Sequence, residues 1–183
     1  MPNDHQRFFV LTGGPGSGKS TLIAALGDAG FAGSTEAGRA IIKDQVLIGG
    51  PALPWENPAL FSEMMLSWEM RSYGIAARNE GNHFFDRGVP DIIGYMRLSG
   101  LEVPAHVQTA ARRCLYNRKV FLLPPWPEIF AQDSERKQTL EEAKRTFDAV
   151  AQAYADCDYE LIEVPRADIE ERRRFVLETA GLA

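Results

Sequence analysis

What the chain has little of narrows its chemistry. Cysteine occurs twice in 183 residues, at Cys114 and Cys157, far apart and outside any Cys-x-x-Cys pair. That fits neither a disulfide framework nor a thiolate zinc site. The histidines, His5, His83 and His106, are scattered without ligand spacing, so no transition-metal site is expected. Long apolar runs are also missing: Phe8 to Leu11, behind a polar N-terminus, is too short for a signal or membrane segment. The expectations are a cytoplasmic location and no membrane contact. Positive charge is scarce as well, with 20 Lys and Arg against 25 Asp and Glu and a formal net charge of −5. General nucleic-acid binding needs an electropositive face and is not expected. No repeat, linker or low-complexity tract interrupts the chain, and an apolar fraction of 45% is ample for one core. Residues 1–183 therefore read as one domain, with its oligomeric state open.

What is present is an alternation of short apolar runs and helical stretches. Phe8 to Thr12 reads as a buried strand ended by glycines, and Ser20 to Ala29 as a helix stopped by Gly30. Phe31 to Thr35 gives a weak second strand before a helix from about Glu36 to Ile48, which Gly49-Gly50-Pro51 must end. After a loop rich in Pro and Trp, a helix from about Ala59 to Asn79 carries Phe61, Met64, Met65, Trp68, Tyr73 and Ile75, a stripe expected to be core rather than a ligand cage. Asn82 to Asp86, Val120 to Leu123 and Tyr159 to Val164 are further strands. Helices are expected from about Pro90 to Leu98, up to about Ala155, and over 168–180. Strands alternating with helices imply an α/β architecture, a mostly parallel five-stranded sheet with helices on both faces in three layers.

Between the first strand and the first helix stands Gly13-Gly14-Pro15-Gly16-Ser17-Gly18-Lys19-Ser20, a full match to the phosphate-loop pattern in the context its mechanism demands. Glycines allow a tight turn whose N–H groups converge on phosphate oxygens, and the helix behind adds the positive end of its dipole. Lys19 would reach the β and γ phosphates of ATP, Ser20 would offer its hydroxyl to Mg²⁺, and Thr21 would lie nearer the α phosphate. A P-loop NTPase fold follows.

Absences again select among such proteins. No Asn-Lys-x-Asp segment is available to read guanine, and the strand 82–86 ends Phe84-Phe85-Asp86-Arg87 without the glutamate that would activate water. Asp-Arg directly after an apolar strand instead resembles the nucleoside and nucleotide kinases, in which the acid lies near Mg²⁺ or the acceptor and the arginine contacts a substrate phosphate or hydroxyl. Longer blocks carry a closer resemblance: Glu36-Ala37-Gly38-Arg39-Ala40-Ile41-Ile42, Phe84 to Asp91, Val120 to Ile129, and Asp133-Ser134-Glu135-Arg136. These are similar to blocks of the AAA-type family that includes the nicotinamide riboside kinase domain. The resemblance covers nearly the whole chain and implies a kinase-like fold with an ATP site, without naming the acceptor.

Roles follow from position. Asp86, at a strand's carboxyl end, is expected to orient Mg²⁺ through water or to accept a proton from the acceptor hydroxyl. Glu36 is the second candidate base, with Arg39 one helical turn away on nearly the same face. Arg87 is a candidate substrate contact, with a structural ion pair as its alternative. The charged run Asp133 to Lys137 resembles a kinase lid over phosphates, spanning about 126–140. Arg136 is its best transition-state cation, and Lys137 or Arg145 could assist. Pro165-Arg166 is a positional candidate for packing on adenine. Arg172-Arg173-Arg174 is expected to pair with Glu170, Glu171 and Glu178 or to face water. The expected function is transfer of the ATP γ-phosphate to a small nucleoside-, nucleotide- or riboside-like acceptor. The alternative is an ATPase or nucleotide switch with no such acceptor.

Overall fold

The computed structural model describes residues 4–130 and 139–183. Asp133 to Lys137, and with them Arg136, lie outside the described residues. Five strands, β1 (Phe8–Gly13), β2 (Ala32–Gly33), β3 (His83–Asp86), β4 (Lys119–Leu123) and β5 (Glu160–Glu163), form one sheet in the order β2-β3-β1-β4-β5. Every pairing is parallel, with Leu11 beside Asp86 and Val10 beside Val120. Among the described residues, eight α-helices surround it: α1 (Lys19–Asp28), α2 (Ala37–Ile48), α3 (Pro58–Ala76), α4 (Val89–Leu98), α5 (Ala105–Arg113), the short α6 (Pro127–Phe130), α7 (Leu140–Asp156) and α8 (Ile169–Ala180).

The apolar strands make this arrangement because both sides of each must be buried. Phe9, Leu11, Phe84, Phe121 and Leu123 pack against Leu22 and Leu26 of α1 and Val176 of α8. Their neighbours Phe8, Val10, Phe85 and Val120 point to the opposite face and meet Ala76 of α3 and Tyr154 of α7. Burying each such side chain contributes about 1.5–3 kcal/mol. Beyond that layer, Ile92 and Met96 of α4 pack with Val107 and Ala111 of α5, and Ala37 and Ile41 of α2 meet Phe61 of α3.

Local chemistry sets the helix ends. Asn57 caps α3 by accepting from Leu60 N at 3.0 Å, with Pro58 in the first turn. Thr139 and Glu142 cap α7 reciprocally, and Asp168 accepts from Glu171 N at 2.9 Å to open α8. The second strand is shorter than expected: only Ala32–Gly33 pairs, because Ser34 turns its hydroxyl to accept from Asp86 N at 3.1 Å. Helices α5 and α6 were not expected. Helix α5 buries Val107, Ala110 and Ala111 at helical spacing, but two of the three are alanines in a segment of nine residues, too little apolar bulk to stand out.

Strand β1 is central, with β2 and β3 to one side and β4 and β5 to the other. At this reversal the helices after neighbouring strands diverge, which leaves a crevice at the carboxyl ends of β1 and β3. Among the described residues, no helix is long and apolar enough to cross a membrane.

Candidate active site

The phosphate loop leaves β1 through Gly13, whose φ is +138° and whose Cβ position is filled by the Leu123 carbonyl oxygen of β4. Only glycine fits there. Lys19 folds beneath the loop, and its ammonium donates to Gly14 O at 3.0 Å and Gly13 O at 3.3 Å. The Ser17 hydroxyl donates to Gly14 O at 2.9 Å. No backbone acceptor among the described residues takes the N–H groups of Gly16, Ser17 and Gly18. Lys19 is 6% exposed, and no carboxylate lies within ion-pair distance of it among the described residues. Burial, then repulsion by Arg87, pull its pKa down to about 8. An anion placed in the loop would reverse that shift. Ser20 and Thr21 sit exposed in the first turn of α1, and Pro15 and Gly16 are half-buried at the loop's rim.

Beside the loop, β3 delivers Asp86 and Arg87. Asp86 is 4% exposed, and its Oδ1 is buried without any hydrogen-bond partner. Burial pushes its pKa up to about 6, against the pull of Lys19. Arg87 adopts φ 76°, unusual for a residue with a side chain. Its N–H continues the ladder to Leu11 O at 3.0 Å while the side chain swings back across the loop. The guanidinium donates to Gly13 O at 3.1 Å, Glu36 Oε1 at 3.3 Å and Asp91 Oδ1 at 2.9 Å. Burial opposes its charge, but Asp91 and Glu36 outweigh burial and hold its pKa above the ordinary value.

Glu36 stands at the N-cap position of α2, where its side chain makes no capping hydrogen bond. Burial would raise its pKa, yet Arg87 and Lys19 hold it below the usual carboxylate value. Arg39 approaches Glu36 Oε2 at 3.8 Å from an exposed position. The structure brings Lys19, Glu36, Asp86 and Arg87 together and ties Arg87 into ion pairs with Glu36 and Asp91.

The sequence reading missed Asp91, which organises this cluster. Its Oδ1 accepts from Thr12 Oγ1 at 2.6 Å and from Arg87, and its Oδ2 accepts from Tyr154 OH at 2.7 Å and Gly88 N at 3.0 Å. The available signal was its place in the first turn of α4, where an acid can reach back to a free N–H. Gly88 allows that close approach, because a Cβ there would stand 2.9 Å from the Tyr116 ring.

A cavity of about 650 Å³ opens against the loop. Its wall includes Pro15, Glu36, Arg39, Arg87, Trp55 and Tyr95. Phe61 and Met65 of α3 also face it, so the stripe expected to be core is divided. Tyr73 stays in the aromatic core against Phe8, while the residues nearer the N-terminus of α3 turn toward the cavity. Glu69 of α3 faces it too, an acid that sequence reasoning passed over although it interrupts the buried line Ser62, Leu66, Ala76.

The arginines of α8 need a correction. Arg173 pairs with Glu170, and Arg174 lies 4.0 Å from Glu178, as expected. Arg172 does neither: it is 4% exposed, donates to the Ser17 carbonyl at 2.9 Å and stacks 5.6 Å from the Trp126 ring. Helical geometry turns this one member of the triplet inward beneath the phosphate loop. Arg145 and Arg166 are exposed. Among the described residues, no group of three or more His, Cys, Asp or Glu side chains could hold a metal ion.

The family model of the AAA domain matches residues 8–172, from β1 into α8. Among solved structures, deoxyadenosine kinase from M. mycoides with dCMP and dCDP bound aligns with a TM-score of 0.63 at 14% identity, over 96% of this chain and 100% of that one. The same kinase with bound dATP aligns with a TM-score of 0.57 at 15% identity, over 95% and 99%. NadR protein in complex with NR gives 0.61 at 17% identity over 97% of this chain and 54% of that one, so the chain spans about half of NadR. At these identities the likeness establishes a P-loop fold of the nucleoside kinase type. No curated protein sequence matches significantly.

Proposed function

The chain belongs to the AAA domain family, and from that premise we propose that it transfers the γ-phosphate of ATP to a small nucleoside-, nucleotide- or riboside-like acceptor. The observation that carries this reading is the cavity of about 650 Å³, which meets the phosphate loop at Pro15 and is walled by Glu36, Arg39 and Arg87. A switch without an acceptor has no need of such a chamber beside its phosphates.

In this reading the loop N–H groups and Lys19 hold the phosphates, and the neutral fraction of Lys19 becomes charged as they enter. Glu36 is the base: it borders the cavity, and Arg87 and Arg39 stabilise its ionised form. The acceptor hydroxyl gives its proton to Glu36 as its oxygen bonds to the γ-phosphorus, and the bond from that phosphorus to the bridging oxygen of ADP breaks. A weak base suffices, because phosphoryl transfer depends on positioning and charge neutralisation. Arg87 orients Glu36, and Arg39 meets the substrate at the cavity mouth.

Asp86 and Ser20 fit a Mg²⁺ that keeps most of its waters, since Asp86 Oδ1 is a buried oxygen without a partner. When bound, that ion neutralises charge on the β and γ phosphates. Arg136, in the lid proposed for about 126–140, supplies a further cation.

The test is ADP release from Mg²⁺-ATP against a panel of nucleosides, nucleoside monophosphates and ribosides. Release should require one acceptor and fall by about 10²–10³-fold in Lys19→Ala. ATP binding without acceptor-dependent release across the panel would reject the kinase reading in favour of a switch.

A further inference from the structure

Glu69 is the most anomalous side chain of the cavity wall. It is 3% exposed, on the face of α3 that otherwise buries Leu66 and Ala76, and it borders the cavity. Among the described residues it has neither a hydrogen bond nor an ion pair. The charged and titratable groups around it are mostly acids or weak acids. Asp91 comes from α4, Asp86 and Arg87 from the end of β3, Glu36 from the start of α2, and Cys114 and Tyr116 from the segment before β4. The one cation of this set, Arg87, is committed to Glu36 and Asp91.

An unpaired buried carboxyl group is costly unless a ligand engages it. Burial first, then Asp91 and Asp86, hold its pKa well above the usual carboxylate value, which favours the neutral carboxylic acid over the carboxylate. A neutral carboxylic acid presents one donor and one acceptor side by side in a plane. The cavity wall also carries large apolar side chains for a ring to pack against: Trp55, Met65 and the edge-to-face pair Phe61 and Tyr95, 5.5 Å between ring centroids.

We propose that Glu69 is the specificity-determining residue of the acceptor cavity, where its carboxylic acid donates one hydrogen bond to, and accepts one from, the amide or amidine edge of an uncharged planar ring. The assignment rests on the acceptor-site reading above and narrows it. Acceptors that present a phosphate or carboxylate at this end are rejected by the neighbouring acids. A ring without the paired donor and acceptor leaves Glu69 buried and unpaired, which is the strongest form of discrimination a polar site can exert.

Calorimetric titration of the full chain without ATP tests this apart from phosphoryl transfer. The probes are adenosine and cytidine, each against its analogue lacking the exocyclic amino group, and a pyridinium riboside as a cationic ring. Wild type and Glu69→Gln, which keeps a donor and an acceptor without charge, should bind one amino nucleoside at least about 10-fold more tightly than its analogue. In Glu69→Leu that ratio should fall to near 1, while ATP affinity stays within about twofold of wild type. Three results would overturn the proposal: no amino nucleoside preferred by wild type, an unchanged ratio in Glu69→Leu, or loss of binding in Glu69→Gln together with preference for the cationic ring. Selective binding without ADP release in the earlier assay would uphold the role of Glu69 and reject the kinase reading alone.

Discussion

Asp86 closes β3 and Asp91 opens α4, and both are almost fully buried, yet their surroundings differ in kind. Asp91 spends both oxygens on four donors: Thr12, Arg87, Tyr154 and Gly88. Asp86 keeps Oδ1 without a partner and sits near Lys19, whose ammonium has only carbonyl and hydroxyl oxygens as partners among the described residues. One region is a saturated knot that fixes β1, α4 and α7 to each other. The other is left short of partners, and its two shifted pKa values record the deficit. Asp91 is thus satisfied within the chain, whereas the proposed ligand groups Asp86 and Lys19 are not.

The difference is open to direct attack. Asp91→Ala should have the largest effect, because it strands the Thr12 hydroxyl and the Tyr154 phenol in a buried space and leaves Arg87 only Glu36 and Gly13 O among the described residues. Urea denaturation should show a loss of about 3–5 kcal/mol. A loss under about 1 kcal/mol would mean the knot holds little. Asp86→Asn should act in the opposite direction. Its pKa in the folded chain is raised from 3.8 to about 6, so stability present below the unfolded value is lost as pH rises through the folded one. Two units correspond to about 3 kcal/mol. The ligand-free Asn variant should match wild type below about pH 4 and exceed it by that amount near pH 8, while acceptor-dependent ADP release disappears. Full turnover in Asp86→Asn would remove Asp86 from the proposed site.

A smaller contrast lies within α8. Arg172→Met removes the hydrogen bond to Ser17 O and should weaken ATP binding by about 1.5–3 kcal/mol, read as a rise in ATP KM. Arg173→Ala touches only an exposed pair with Glu170 and should change stability by less than about 1 kcal/mol. Equal effects at the two positions would contradict the inward setting of Arg172.

Much of this was legible beforehand because short-range rules govern it. The loop Gly13 to Ser20 needs glycines at set spacings, and a strand and helix around it, so its location followed from local pattern. Asp86, Arg87 and Glu36 were found through the ends of apolar runs, since parallel strands gather their carboxyl ends at one edge. Helix α5 escaped notice because two of its three buried residues are alanines, and residues 131–138 of the lid expected at about 126–140 lie outside the described residues.

The chain's own pattern thus determined an alternating α/β fold and a phosphate-binding loop, because residue periodicity and glycine placement are properties of neighbours in sequence. Tertiary structure alone decided which acids are satisfied and which are not. Asp91 meets Thr12 and Tyr154, Arg172 reaches Ser17, and Glu69 borders the cavity, through contacts between residues distant along the chain. Side-chain charge is written in the sequence, but its burial and its partners exist only after the layers have packed.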